Sequence, residues 1–325
     1  MTSIRSQITG VGAYLPEKIL TNDDLSKMVD TSDEWIRKRT GIARRHIAAE
    51  GELTSDLAVA AAKRAMETAQ TTAADIDLII LATTTPDNTF PATATRVQAA
   101  LGVERGPAFD VQAVCSGFIY ALTMADNMIR LGQATRALVI GAEIYSRILD
   151  WSDRGTSVLF GDGSGAVVLQ KSVINGSDDG RGILSTHLHS DGTKYDHLYV
   201  DGGPATTGTA GFVRMNGQDV FRQAVARMTE VVMEGLEANG LSVDEIDWLI
   251  PHQANARIID MVGQKLGVSS DRVIVTVQEH ANTSAATIPL ALNHGFERQL
   301  FKPGDLIALT AMGGGFTWGS AILRW

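Results

Sequence analysis

Cysteine is almost absent from this chain, because Cys115 is the only one in 325 residues. A single cysteine excludes an intrachain disulfide framework and fits a reducing compartment. Aromatic residues make up only 6% of the chain, and no apolar run reaches the length that crosses a membrane. The first residues lack the charged and then apolar pattern of a signal peptide. We therefore expect a cytoplasmic protein with no membrane partner.

The chain also lacks an excess of positive charge. Its 28 Lys and Arg residues stand against 37 Asp and Glu residues, for a formal net charge of −9. This balance argues against nucleic acid as a partner, because nucleic-acid binders normally carry a basic surface. What is abundant is apolar residues, at 44%, together with 32 glycines. That composition is typical of an α/β protein with many tight turns.

Apolar strands alternate with helices in both halves of the chain. The predicted strands are Asp77–Thr84, Ala137–Glu143, Asp247–Pro251, Val273–Val277 and Asp305–Ala311. Strands of this kind, separated by helices, predict sheets that are covered on both faces. The halves also resemble each other weakly, which indicates a duplicated unit unless the match is chance. We expect one half at 1–174 and another at 175–325, beginning with a long connection over 175–215.

Cys115 lies at a predicted turn from a strand into a helix. Ala108–Val111 is expected to end the strand, and Ser116–Arg130 is expected to form a helix with a broad apolar face. A helix N-terminus favours an anion and is a known means of lowering the pKa of a thiol. On this segment alone, a structural cysteine and a catalytic cysteine remain equally open.

Polar or glycine-rich segments follow three further predicted strands. They contain His252, Asn282 and the glycines 313–315. Each has an ordinary explanation as well: a histidine satisfied at a strand end, a helix N-cap and a plain turn.

Taken together, Cys115, His252, Asn282 and the glycine turn resemble the condensing enzymes of the thiolase superfamily, and among them the β-ketoacyl-acyl carrier protein synthase III family. The resemblance spans almost the whole chain, including the segments 10–16, 33–42, 160–166 and 314–320. It implies an α/β, duplicated thiolase-like fold, layered α-β-α-β-α, with mixed five-stranded sheets. It also implies decarboxylative condensation of a short acyl-CoA, expected to be acetyl-CoA, with malonyl-acyl carrier protein to start fatty acid synthesis.

The resemblance assigns a role to each site residue. Cys115 would become acylated, and the backbone N–H groups of Cys115 and Gly314 would form the oxyanion hole. His252 and Asn282 would donate hydrogen bonds to the malonyl thioester oxygen, while His280 would be structural. No metal or redox cofactor is expected.

The family also supplies expected contacts for the substrates and partners. Trp35 and Arg154 would sandwich the adenine of CoA, Arg39 would reach a phosphate, and Phe90 would close the acyl pocket across a homodimer interface. Arg222, Arg257 and Lys265 would dock the acidic acyl carrier protein. Each of these side chains could instead be an ordinary surface or core residue.

Three alternatives to this activity remain open at the level of sequence. The first is a synthase for a specialised polyketide starter, or one that uses malonyl-CoA directly. The second is an acyltransferase of the same superfamily that performs no condensation, and the third is a silent binding protein on the same fold. The sequence does not predict the preferred acyl chain.

Overall fold

A computed structural model describes residues 3–174 and 180–325. Its strands are β1 Ser3–Tyr14, β2 Lys18–Thr21, β3 Arg44–Ile47, β4 Leu78–Ala82, β5 Ala108–Val111, β6 Arg136–Ile144, β7 Asp162–Ile174, β8 Gly182–Ser190, β9 Leu198–Val200, β10 Val213–Met215, β11 Trp248–Pro251, β12 Leu306–Gly313 and β13 Thr317–Arg324. Its α-helices are α1 Asn22–Leu25, α2 Asp33–Thr40, α3 Thr54–Thr68, α4 Thr93–Leu101, α5 Gly117–Arg130, α6 Arg154–Ser157, α7 Gly217–Ala238, α8 Ala256–Leu266, α9 Val277–His280 and α10 Thr287–Glu297.

The first large sheet has five strands in the order β1-β7-β6-β4-β5. Strand β4 pairs in parallel with β5 and β6, whereas β7 pairs antiparallel with β1 and β6. All of these strands precede residue 175. The expected mixed five-stranded sheet is therefore confirmed for the first half.

The second large sheet has four strands in the order β11-β12-β13-β8. Strand β8 pairs antiparallel with β13, although it lies inside the segment 175–215 that we expected to be a connection. That expectation is wrong for 182–190. The strand is stabilised by a partner more than a hundred residues away, which local composition does not reveal.

The fifth strand expected here, Val273–Val277, is reduced to a single parallel bridge between Val273 and Leu249. The side chain of Gln253 explains why pairing stops. Its amide nitrogen donates to the Ile274 carbonyl at 3.1 Å, and its oxygen accepts from the Thr276 N–H at 2.7 Å. The Ile274 carbonyl and the Thr276 N–H are therefore hydrogen-bonded to a side chain and do not need to pair with β11. As a result, the second sheet has four strands instead of the expected five.

The elements stack in five layers, as expected. Helices α3 and α4 contact the first sheet, α7 and α8 contact the second, and α5 and α10 lie between the two sheets. The largest apolar cluster joins both sheets to the two central helices through Ile80, Val139, Phe118, Leu122, Ile288, Leu292, Leu309 and Ala321, among others. Helices buried between two sheets must be apolar on most sides, which α5 and α10 are. Within the described residues, no helix has the length and apolar character to cross a membrane.

Candidate active site

Two short turns of 3₁₀ helix meet between the sheets. One, Val114–Ser116, carries Cys115 and continues into α5, and the other, Ser284–Ala286, continues into α10. The first residue of each turn has a positive φ, 48° at Val114 and 50° at Ser284. Because the turns contact each other, residues from both halves of the chain share one site.

Glycines permit the close approach of the backbones at this meeting point. A methyl group on Gly141, in β6, would lie 2.3 Å from the carbonyl oxygen of Ala285. One on Gly313, at the end of β12, would lie 2.6 Å from the backbone nitrogen of Cys115. Contacts this short leave no room for a side chain, so glycine is required at both positions.

Cys115 is buried, with 4% of its surface exposed. Burial raises the pKa of its thiol to about 12, the neighbouring Ser284 side chain lowers it, and the negative charge of Glu143 raises it further. The expectation that the helix N-terminus lowers this pKa is therefore wrong, because desolvation of the thiolate outweighs that effect. The sulfur therefore holds its proton at neutral pH.

Glu143 is a second buried acid beside Cys115. Its carboxylate accepts hydrogen bonds from the Thr84 N–H at 3.0 Å and from the hydroxyls of Thr84 and Thr85. Burial raises its pKa to about 7. None of the ion pairs found among the described residues includes Glu143, so neutral hydroxyl and N–H donors stabilise its charge.

His252 follows β11 and is buried at 3% exposure. Its Nδ1 lies 2.6 Å from the Thr287 hydroxyl oxygen, in the first turn of α10. Burial lowers the pKa of His252 to about 3. The imidazole is therefore neutral at physiological pH, which is compatible with the neutral hydrogen-bond donor expected from the sequence.

Asn282 is held by bonds on both its backbone and its side chain. Its backbone bonds Leu159 and Gly161, and its side-chain oxygen accepts from the Ser284 N–H at 2.9 Å. With the oxygen occupied in this way, the amide nitrogen remains available to donate.

Ser284 and Thr287 connect the three predicted catalytic side chains. The Ser284 side chain lies close enough to the Cys115 thiol to lower its pKa, and the Ser284 N–H donates to the Asn282 side-chain oxygen. The Ser284 carbonyl oxygen lies 3.0 Å from the Thr287 hydroxyl, which in turn contacts His252. The structure thus brings Cys115, His252 and Asn282 together.

Gly314 lies in the turn after β12, and its N–H has no hydrogen-bond acceptor among residues 3–174 and 180–325. Thr317 fastens this turn to the one that carries the cysteine. Its hydroxyl accepts from Ser116 at 2.8 Å and contacts the carbonyl oxygens of Ala113 and Gly314 at 3.0 and 3.1 Å. The free N–H is thereby kept next to the Cys115 turn.

The residues expected to bind CoA form one cluster. The guanidinium of Arg154 lies 4.8 Å from the centre of the Trp35 ring, and that of Arg39 lies 5.9 Å from it. Arg154 also donates to the Asp30 carbonyl at 3.0 Å. Since Arg154 itself covers the ring, a base entering between them must displace the guanidinium.

The remaining predicted contacts lie on the surface. Phe90 is 81% exposed. Arg257 at the start of α8 stacks over Phe221 of α7 at 5.3 Å, next to Arg222, whereas Lys265 lies two turns further along α8. Asn255 caps α8 by accepting from the Arg257 N–H at 2.8 Å.

Five residues that bear on the site were missed by the sequence analysis: Glu143, Gln253, Ser284, Thr287 and Thr317. The spacing of Ser284 and Thr287 after Asn282 was the available signal, because a hydroxyl three residues after a carbonyl at a helix start can contact it. Glu143 had a weaker signal as a charged residue that ends an otherwise apolar strand.

Comparison with known proteins gives consistent matches over the whole chain. A family model described as 3-oxoacyl-[acyl-carrier-protein] synthase III matches residues 109–192, and a model of its C-terminal part matches residues 236–325. A β-ketoacyl-[acyl-carrier-protein] synthase III of Rhodospirillum centenum is 62% identical over 322 residues, or 99% of each chain.

Solved structures are similar over nearly the same length. The 3-oxoacyl-[acyl-carrier-protein] synthase III of Aquifex aeolicus has a TM-score of 0.93 at 48% identity, covering 98% of this chain and 100% of that one. A priming β-ketosynthase of the R1128 polyketide pathway has a TM-score of 0.92 at 33% identity, covering 99% and 97%.

Proposed function

The chain belongs to the 3-oxoacyl-[acyl-carrier-protein] synthase III family, and on that premise we propose how its residues perform the condensation that initiates fatty acid synthesis. The protein is an acyltransferase-type condensing enzyme. The observation that carries the mechanism is the placement of Cys115, His252 and Asn282 around the turn Ser284–Ala286. Ser284 lies beside the Cys115 thiol and binds Asn282 through its N–H, and Thr287 contacts both His252 and the Ser284 carbonyl.

In the first half-reaction Cys115 attacks the thioester carbonyl of a short acyl-CoA. The sulfur–carbon bond forms, the thiol proton leaves, and CoA departs as its thiol. The N–H groups of Cys115 and Gly314 bind the oxyanion of the tetrahedral intermediate. Burial of the thiol favours this arrangement, since an acylated sulfur carries no charge to desolvate.

In the second half-reaction the malonyl group on the carrier protein loses CO₂. Negative charge develops on its thioester oxygen, where the neutral His252 and the Asn282 amide donate hydrogen bonds. The resulting carbanion attacks the acyl-Cys115 carbonyl, a carbon–carbon bond forms, and the cysteine thiolate leaves and is protonated. The proton that restores the thiol comes from water, and it balances the proton that left with CoA in the first half-reaction. Dividing the reaction in this way replaces one difficult step by easier ones.

The partners follow from exposed features. Trp35, Arg39 and Arg154 would bind CoA, and Arg222, Arg257 and Lys265 would dock the acidic carrier protein. A homodimer is supported by Phe90 and by β5, a half-exposed strand at the edge of the first sheet, because an open edge can pair with a second copy. A cytoplasmic location would keep the lone thiol reduced.

Intact-protein mass spectrometry tests this function directly. The chain is mixed with a panel of acyl-CoAs and then chased with malonyl-acyl carrier protein. We expect one acyl adduct, absent from Cys115→Ala, that is discharged only by the malonyl carrier. A chain that forms no adduct with any short acyl-CoA, or whose adduct persists during the chase, contradicts the proposal.

A second candidate is favoured by the similarity to the R1128 priming ketosynthase. A polyketide starter synthase would follow the same two half-reactions with a different acyl group. In the same acyl-CoA panel, preference for a longer or branched starter over acetyl-CoA would support it.

A further inference from the structure

The hydroxyl of Thr287 lies between two acceptors and has one hydrogen to donate. Nδ1 of His252 is 2.6 Å from its oxygen, and the carbonyl oxygen of Ser284 is 3.0 Å from it. Thr287 is 2% exposed, so solvent does not compete for that hydrogen. The direction of the hydroxyl determines which nitrogen of His252 carries the proton.

If the hydroxyl donates to Ser284, Nδ1 must carry the proton and donate to Thr287. The Nε2 atom then presents a lone pair. If the hydroxyl donates to Nδ1, the proton lies on Nε2, which makes no hydrogen bond within residues 3–174 and 180–325. Only the second arrangement makes neutral His252 a donor at Nε2.

Two observations distinguish these arrangements. Hydroxyl donors form bonds of about 2.5–3.0 Å, whereas N–H donors to oxygen need about 2.7–3.2 Å. The 2.6 Å separation between Nδ1 and the hydroxyl is shorter than the N–H···O range and therefore favours the hydroxyl as donor, and the 3.0 Å separation from Ser284 is at the long end of the O–H···O range. The Ser284 carbonyl oxygen also accepts from the Thr287 backbone N–H, so it does not depend on the hydroxyl.

We propose that Thr287 is a positioning residue that fixes His252 as the Nε2–H tautomer by donating to Nδ1. The inference rests on the proposed function, in which His252 donates to the developing enolate. Asn282 is arranged in the same way, because its side-chain oxygen already accepts a hydrogen bond from the Ser284 N–H. In both side chains the acceptor atom is therefore occupied by a neighbouring residue. The donor atoms of both are thereby left for the substrate.

The variant Thr287→Val removes the hydroxyl with little change of shape, and Thr287→Ser retains it. We expect Thr287→Val to slow discharge of acyl-Cys115 by malonyl-acyl carrier protein about 10- to 100-fold, the cost of leaving a buried polar atom unpaired. Acylation by acyl-CoA should continue at the wild-type rate, and Thr287→Ser should condense within about threefold of wild type. Equal loss of both half-reactions, or no loss of either, would overturn the proposal.

The tautomer of His252 can be measured by NMR in the absence of substrate. The full chain labelled with ¹⁵N-histidine is studied by long-range ¹H–¹⁵N correlation at neutral pH, with His252 assigned from its absence in His252→Gln. A proton on Nε2 supports the proposal, and a proton on Nδ1 overturns it, even where Thr287→Val fails to fold. Failure of the proposed function would appear separately, as a wild-type chain that no acyl-CoA acylates.

Discussion

The turns at Val114–Ser116 and Ser284–Ala286 are alike in backbone and different in chemistry. Each has three residues, begins with a positive φ and leads into a helix buried between the sheets. The central residue is Cys115 in the first turn and Ala285 in the second. The second turn carries polar groups around its centre instead. In the mechanism proposed above, the covalent step takes place at the first turn, and the donors to the malonyl thioester oxygen lie beside the second.

The largest expected effect tests the donors beside the second turn. Replacing Asn282 by Ala removes one hydrogen bond to the developing enolate, and loss of such a donor typically costs about 10²- to 10³-fold in rate. We expect decarboxylation of malonyl-acyl carrier protein to fall by that factor, measured by CO₂ release, while mass spectrometry still shows acylation of Cys115.

His280, two residues from Asn282, is the matched control. It is largely buried, it lies edge-on to His294 at 6.3 Å between ring centres, and burial lowers its pKa to about 4. The rate of decarboxylation by folded His280→Ala should stay within a few-fold of the wild-type rate. If His280→Ala abolishes decarboxylation and Asn282→Ala does not, the assignment of donors to the second turn is wrong.

The two turns should also respond differently to pH. Because burial raises the pKa of Cys115 to about 12, its thiolate fraction grows about tenfold for each pH unit through the neutral and alkaline range. Alkylation by iodoacetamide, followed by intact mass, should rise accordingly up to about pH 10 with no plateau near 8. The pKa of His252 is lowered to about 3, so decarboxylation should show no inflection near pH 6.5. A plateau in alkylation below pH 8 would contradict the burial argument.

The case of Cys115 shows why its position could be predicted from the sequence and the pKa of its thiol could not. The position of Cys115 between β5 and α5 is a local property, and periodicity predicted it. The environment of its sulfur is not local, because Glu143 and Ser284 come from two other parts of the chain. An isolated helix N-terminus therefore indicated a lowered pKa, and the assembled protein raises it.

The second sheet gives the same lesson for structure. Val273–Val277 has the composition of a buried strand, yet the side chain of Gln253 satisfies two of its backbone groups. Strand β8 was missed because its partner β13 lies far away in sequence. The resemblance to a known family supplied Cys115, His252 and Asn282, but Thr287 emerged only from the distances around His252.

The packing of the second turn against β6 can be broken at Gly141. A methyl group there would lie 2.3 Å from the Ala285 carbonyl oxygen, and backbone atoms cannot move aside as a flexible side chain can. Gly141→Ala should therefore destabilise the protein by about 1–3 kcal/mol or more, as overpacking does, and lower its Tm. Gly192→Ala is the control, because no atom lies within 4 Å of its added methyl group. Equal Tm values for the two variants would show that the second turn is not tightly packed against β6.

The smallest expected effect concerns the surface beside the second half of the site. Arg257 stacks on Phe221, which precedes Arg222 in α7, and both arginines are exposed enough for an acidic partner to reach. Exposed charge pairs are worth about 1 kcal/mol or less each, so Arg257→Glu should raise the KM for malonyl-acyl carrier protein about three- to tenfold. The effect should shrink as salt is added, and acyl-CoA loading should not change. Arg298→Glu, at an exposed position after α10, should leave both half-reactions unaffected. If Arg257→Glu slows loading and condensation equally, then α7 and α8 do not form the docking surface, and the carrier approaches the paired turns from another side.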